Sequence, residues 1–150
     1  MKIAMASDHA AYHLKEHLKT YLTNSGHEVI DFGTHSEESM DYPDTIKLAA
    51  RAVAKHEAER GIVLCGSGIG ASIVANKIRG IRAALCLDEY SAEYSRRHND
   101  ANVMVLGGRR TSPEEAEKLV DIWLSTAFEG GRHIRRIEKI HTIEKEECRD

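Results

Sequence analysis

Apolar runs of strand length alternate with helix-spaced apolar positions along most of this chain. Residues 2–6, 28–32, 62–64, 82–87 and 103–106 each predict a strand, because each is a short apolar run, mostly rich in β-branched residues. Between them, Leu14, Leu18, Tyr21 and Leu22 recur at helical spacing, as do Ile46, Ala49, Ala50 and Val53. Residues 71–78 resume a helical pattern, and Pro43 suits the start of the helix that holds Ile46. Ser112-Pro113-Glu114-Glu115 is a strong helix start, with an N-cap hydroxyl, proline in the first turn and Glu three residues after the cap. That helix presents Ala116, Leu119, Val120, Trp123 and Leu124 along one stripe. Gly130-Gly131 then breaks the chain before a last helix over residues 132–147, where Ile134, Ile137, Ile140 and Ile143 fall at intervals of three. Such a slanting stripe suits packing on a second subunit, and equally packing within the same chain.

Alternating strand and helix with short connections predicts an α/β fold, a three-layer Rossmann-like sandwich with a five-stranded parallel sheet and helices on both faces. At 150 residues the chain is read as a single domain, 1–150. Sheets of this kind bind ligands outside the carboxyl ends of their strands. The segments to inspect are therefore Ser7-Asp8-His9, Cys65-Gly66-Ser67-Gly68, Gly107-Gly108-Arg109, and Arg97-His98-Asn99-Asp100 just before the fifth strand.

Composition narrows the function. A net charge of −3, with Arg132, Arg135 and Arg136 as the one cationic cluster, argues against a nucleic-acid partner. That cluster is large enough to hold one phosphate. Three cysteines, with no Cys-x-x-Cys pair, point away from a disulfide framework or zinc ribbon. The N-terminus lacks the pattern of a signal peptide, and no apolar run reaches the length of a membrane span. A cytoplasmic protein without a membrane partner is expected. No pair among Asp8, Cys65, His98 and Asp100 has recognised metal-ligand spacing, so no metal is expected.

The most informative stretch is Gly61 to Ser72. A buried-type strand delivers Cys65 to the point where it ends, and Gly66, Gly68 and Gly70 follow at alternate positions before a helix begins. Glycines so placed let backbone N–H groups gather around an oxyanion, and the helix adds its unpaired donors and positive dipole end. A helix N-terminus favours a thiolate over a thiol. A free cysteine is also a common core residue, so Cys65 has a purely structural reading. His98 carries a side chain suited to moving protons between oxygens near neutral pH, or is a solvated turn histidine. Asp8 can cap the turn after the first strand. Arg132 and Arg136 share one helix face in the first turns, where cations oppose the dipole; a bound anion would offset that cost.

These residues resemble the ribose-5-phosphate isomerase type B group, to which isomerases for galactose 6-phosphate and allose 6-phosphate are similar. The likeness covers nearly the whole chain. It rests on Ser7-Asp8-His9-Ala10, Asp41-Tyr42-Pro43-Asp44, the loop from Cys65 to Gly70, Ala75-Asn76-Lys77, residues 97–102 and Gly130-Gly131-Arg132-His133. The resemblance implies interconversion of an aldose phosphate and a ketose phosphate through an enediolate, with no metal or organic cofactor. It implies a homodimer or dimer of dimers whose active sites draw on both subunits.

Carried over by position, Cys65 is the base that moves the proton between C1 and C2, and His98 opens the sugar ring. Asp8, His9 and Asn99 bind sugar. Gly66, Ser67, Gly68, Ile69 and Gly70 form the enediolate loop, and Arg109, Arg132 and Arg136 take the sugar and its phosphate. Ser67 stands where many relatives carry Thr, which keeps the hydroxyl. Some relatives use a Glu further along the loop as the base; residues 71–75 contain no acid here, which favours the thiol. Ribose 5-phosphate and ribulose 5-phosphate are the expected substrates, with hexose 6-phosphates as the alternative. Two rivals from other classes stay open. One is a dinucleotide-binding module using Gly66-x-Gly68-x-Gly70 and Asp88, although Ala71 displaces the third glycine and the loop follows the wrong strand. The other is a non-catalytic sugar-phosphate sensor.

Overall fold

A computed structural model describes residues 1–147. Five parallel strands, β1 (Lys2–Ser7), β2 (Glu28–Asp31), β3 (Arg60–Cys65), β4 (Ala83–Leu85) and β5 (Val103–Gly107), form one sheet in the order β2-β1-β3-β5-β4. The helices are α1 (Tyr12–Asn24), α2 (Tyr42–Ala54), α3 (Ile69–Asn76), α4 (Glu89–Arg97), α5 (Pro113–Ser125) and α6 (Arg132–Glu147), with a 3-10 turn at His9–Ala11. The five-stranded α/β architecture read from the sequence is the one observed. Cys148 lies outside the described residues.

Strand alternation divides the core into two layers. On one face Ile3, Met5, Ile62, Leu64, Met104 and Leu106 pack against α1 through Leu14, Leu18 and Leu22, and against α5 through Leu119, Val120 and Trp123. On the other face Ala4, Ala6, Val63, Val103 and Val105 meet Ile46, Ala49 and Val53 of α2 and Ala71 and Ala75 of α3. The three inner strands have both faces covered, which is why they read as unbroken apolar runs.

The expected cap at Ser112 is present: its hydroxyl accepts from the Glu115 N–H at 3.2 Å. Helix α4 is the one element the apolar pattern does not announce. It is strongly polar and buries only Ala92, Ser95 and Arg96. Its signal is local chemistry, a capping box in which the Asp88 carboxylate accepts from the Ser91 N–H (2.8 Å) and the Ser91 hydroxyl reaches back to the Asp88 N–H (3.2 Å). The fourth strand is shorter than its apolar run, because the chain leaves the sheet after Leu85 to reach that cap.

The order of the strands fixes where ligands can enter. From β1 the chain goes one way to β2, then returns across the sheet to β3 on the other side of β1. The loops after β1 and β3 therefore diverge, leaving a crevice at their carboxyl ends. Helix α6 lies at the opposite edge, where His141 meets Arg82 at the start of β4 and Glu144 accepts from the Gly80 N–H.

Candidate active site

The crevice between β1 and β3 opens into a hollow of about 480 Å³, lined by Asp8, His9, Cys65, Ser67, Tyr42 and Arg109 among others. Cys65 ends β3, opposite Gly107 of β5. It is almost fully buried, and its Sγ accepts from the Gly68 N–H at 3.2 Å. Gly68 can present that amide because it sits in the left-handed region at φ +81°, as the residue before α3. A Cβ there would lie 2.5 Å from Leu85 Cδ1 and 3.1 Å from the Leu106 backbone. Only glycine satisfies both the turn and the close approach.

The loop is braced further. The Ser67 hydroxyl accepts from the Ile69 N–H at 3.1 Å, which leaves its own proton free to point into the hollow. The amides of Gly70 and Ala71 precede the first intrahelical bond of α3, Ser72 N–H to the Gly68 carbonyl. The β5 loop runs alongside: Gly108 N–H donates to the Cys65 carbonyl (2.8 Å) and Arg109 N–H to the Gly66 carbonyl (3.0 Å). Across the hollow, Asp8 is committed to its capping role and accepts from the Ala11 N–H at 3.2 Å. His9 Nδ1 accepts from the Met40 N–H at 3.1 Å. A neutral His9 therefore carries its proton on Nε2. A thiol, an amide-rich loop, an Nε2–H donor and a guanidinium thus converge on one cavity, an arrangement able to take a proton from carbon and hold the oxyanion that results.

The remaining candidates stand elsewhere. His98 is the residue after α4, at the end of the sheet where the strands begin. Asn102, four residues further along the chain, accepts from the Gly61 N–H through its carbonyl, and Gly61 lies four positions before Cys65 on β3. Four strand steps span about 13 Å. Cys65 and His98 of one chain therefore lie at opposite edges of the sheet. Asn99 lines a different hollow, of about 650 Å³, with Ile140, Ile143 and Glu144 of α6. Arg132 and Arg136 are exposed on the first turns of α6, on the His98 side.

Two residues absent from the sequence-derived set join His98 there. The His133 ring stacks on that of His98 with centroids 4.2 Å apart and planes 15° from parallel. Glu129 accepts from Arg97 Nε at 2.5 Å, and Arg97 is itself paired with Glu93 at 2.8 Å. Burial works to raise the Glu129 carboxyl, but the Arg97 guanidinium outweighs it and holds the group below the usual carboxylate range. Burial, then the neighbouring His98 and Arg132, hold the His133 imidazole below the usual histidine range. His133 closes the Gly130-Gly131-Arg132-His133 run, so its signal was in the sequence. Glu129 had none, since its partners are set by the turn through Gly130 and Gly131, both at positive φ. Tyr42, which the sequence explains as the start of α2 and does not require at the site, also lines the hollow: its ring stands against Gly70, where a Cβ would fall 2.6 Å from Cζ.

Residues 3–140 match the family described as Ribose/Galactose Isomerase. The chain belongs to the ribose/galactose isomerase family. It is 48% identical over 144 residues to ribose-5-phosphate isomerase B of Escherichia coli strain K12, covering 96% of this chain and 97% of that protein. It is 43% identical over 148 residues to D-erythrulose-4-phosphate isomerase of Pectobacterium atrosepticum, covering 98% and 97%. The structure of ribose-5-phosphate isomerase B from Clostridium thermocellum superimposes with a TM-score of 0.96 at 52% identity, covering 97% of this chain and 99% of that one. With the family assigned, the dinucleotide reading loses its remaining support. Asp88, the residue it needed for ribose, is spent on the cap of α4.

Proposed function

We propose that this chain interconverts ribose 5-phosphate and ribulose 5-phosphate without a cofactor, through an enediolate formed in the hollow at the end of β3. The observation that carries the reading is the Gly68 N–H donated to Cys65 Sγ at the mouth of an amide-rich loop. A thiolate held by that donor takes the proton from substrate C2, and the electron pair left behind moves into the carbonyl, whose oxygen becomes the enediolate oxygen. The loop amides and the Ser67 hydroxyl lie where they can donate to it. A proton passes from the O2 hydroxyl to O1, and the thiol returns the carbon-bound proton to C1 as the carbonyl re-forms at C2, which completes the exchange of aldose for ketose.

Ring opening is assigned to His98, sugar contacts to Asp8, His9 and Asn99, and phosphate recognition to Arg109, Arg132 and Arg136. Since His98 and the α6 arginines lie at the far edge of the sheet, we assign each complete site to two chains, one supplying Cys65 and the other His98. The half-exposed Ile134, Ile140 and Ile143 of α6 support that pairing in a homodimer or a dimer of dimers. Among the described residues no helix is long and apolar enough to cross a membrane. The free thiols of Cys65 and Cys86 fit the reducing cytoplasm.

The test is turnover of ribose 5-phosphate by the wild type and by Cys65→Ala, with no metal or nucleotide added. Activity in the wild type alone supports the thiol base. Activity in both keeps the reaction and removes the base; activity in neither moves the reading to another sugar phosphate. The relative named for a tetrose phosphate makes erythrulose 4-phosphate and the hexose 6-phosphates the rest of the panel.

A further inference from the structure

We propose that His98, Glu129 and His133 form a binding site for a borderline divalent transition-metal ion such as Zn²⁺ or Co²⁺, and that an ion bound there stops turnover. The inhibitory half rests on the ring-opening role assigned to His98; the binding half does not.

The donor set is two imidazoles and one carboxylate, which suits zinc and cobalt and leaves a fourth position open. Glu129 Oε2 lies 3.5 Å from His133 Nε2 and 3.7 Å from His98 Nε2, and all three donor atoms fall within 4.8 Å of one another. A tetrahedral ion with bonds of about 2.1 Å spaces its ligand atoms about 3.4 Å apart. The gaps to the carboxylate are too long for hydrogen bonds, and they match two ligands sharing an ion. The two oxygens of Glu129 have separate tasks. Oε1 is taken by Arg97, itself anchored by Glu93, and Oε2 is left facing both ring nitrogens. That is the outer-shell arrangement which orients a metal-binding carboxylate. His133 is buried and its ring is fixed, whereas the partly exposed His98 ring, now stacked nearly parallel to it, turns about its side-chain bonds to bring both lone pairs onto one ion. The ligands come from one helical turn of α6, the loop before it and the end of α4. Only tertiary structure assembles them, which is why no ligand spacing shows in the sequence.

An ion here would occupy the lone pair on His98 that ring opening needs. The experiment is a Co²⁺ titration of the Cys65→Ala protein, which removes the thiol as a competing ligand, read by visible ligand-field absorption. The expected result is one Co²⁺ per chain, displaced by Zn²⁺. Glu129→Gln and His133→Asn, two near-isosteric changes, should each weaken binding about tenfold or more. No saturable band, or a band indifferent to both substitutions in folded protein, overturns the site. Turnover of ribose 5-phosphate by the wild type should fall with added Zn²⁺ and recover with a chelator, and Glu129→Gln should shift that fall to higher metal. Metal bound with turnover unchanged overturns the inhibitory half alone. Absence of turnover in chelator-treated wild type would instead count against the proposed function, and the Co²⁺ spectra would still decide the site.

Discussion

Cys65 and Cys86 have the same side chain and different surroundings. Burial pushes the Cys86 thiol up to about 12, against a weaker opposing hydrogen bond from Ser95, so it stays protonated and inert. Cys65 receives a backbone amide beside an open hollow. Iodoacetamide labelling near neutral pH should modify Cys65 and leave Cys86 untouched, as read by peptide mass spectrometry. A second contrast concerns Lys15, a wholly buried cation bonded to Asp31 (2.6 Å) and Glu16 (2.8 Å). Asp31 also accepts from Lys19 (3.0 Å) and the Gly33 N–H (2.9 Å). Burial tends to raise the Asp31 carboxyl, but Lys15, the Gly33 amide and Lys19 prevail and lower it. A lowered folded-state pKa contributes stability that is present above the ordinary carboxylate range and disappears as pH falls through the folded value. Asp31→Asn leaves the buried Lys15 ammonium with the Glu16 carboxylate but without its closer, buried one, and should cost about 3 kcal/mol at neutral pH. Lys15→Met leaves Asp31 its other two donors and should cost less. Urea midpoints followed downward from neutral pH should show a shallower acid slope in Asp31→Asn than in wild type.

At the scale of elements, the loop from β3 to α3 depends on its backbone more than on its side chains. Gly68→Ala demands a left-handed alanine pressed on Leu85 and Leu106, a strain of about 1–3 kcal/mol. Relief of that strain would swing the amide away from Cys65. Turnover should therefore fall by far more than stability, measured as kcat beside the urea midpoint. The glycine spacing made this loop legible in the sequence, because few other reasons place three glycines at alternate positions before a helix. Helix α5 was legible for a similar reason: Ser112 and Pro113 act within one turn. Helix α4 was not, since its buried stripe is Ala92, Ser95 and Arg96, and the Arg96 guanidinium is satisfied by Asp100 and the Ala101 carbonyl rather than by apolar neighbours.

At the scale of the whole molecule, the sheet separates Cys65 from His98, and the assignment of one site to two chains can be tested directly. Cys65→Ala and His98→Ala should each be inactive alone. Unfolded together and refolded as a mixture, they should recover about a quarter of wild-type activity, because half the dimers are hybrids and each hybrid holds one intact site. No recovery from a mixture shown to contain hybrids would return both residues to separate roles.

The sequence alone determined the parallel α/β sheet, the loop after β3 and most of the hollow around it. Those features rest on strand alternation, on helix caps and on glycine conformations, all of which act over a few neighbouring residues. Tertiary structure decided which candidates meet. Asp8, His9, Cys65 and Arg109 converge because β1, β3 and β5 are adjacent and end at the same edge of the sheet. His98, Glu129 and His133 converge because α4 runs back to the other edge, where the turn through Gly130 and Gly131 folds α6 beside it. Strand order and helix direction join residues tens of positions apart, and local spacing carries no record of such contacts.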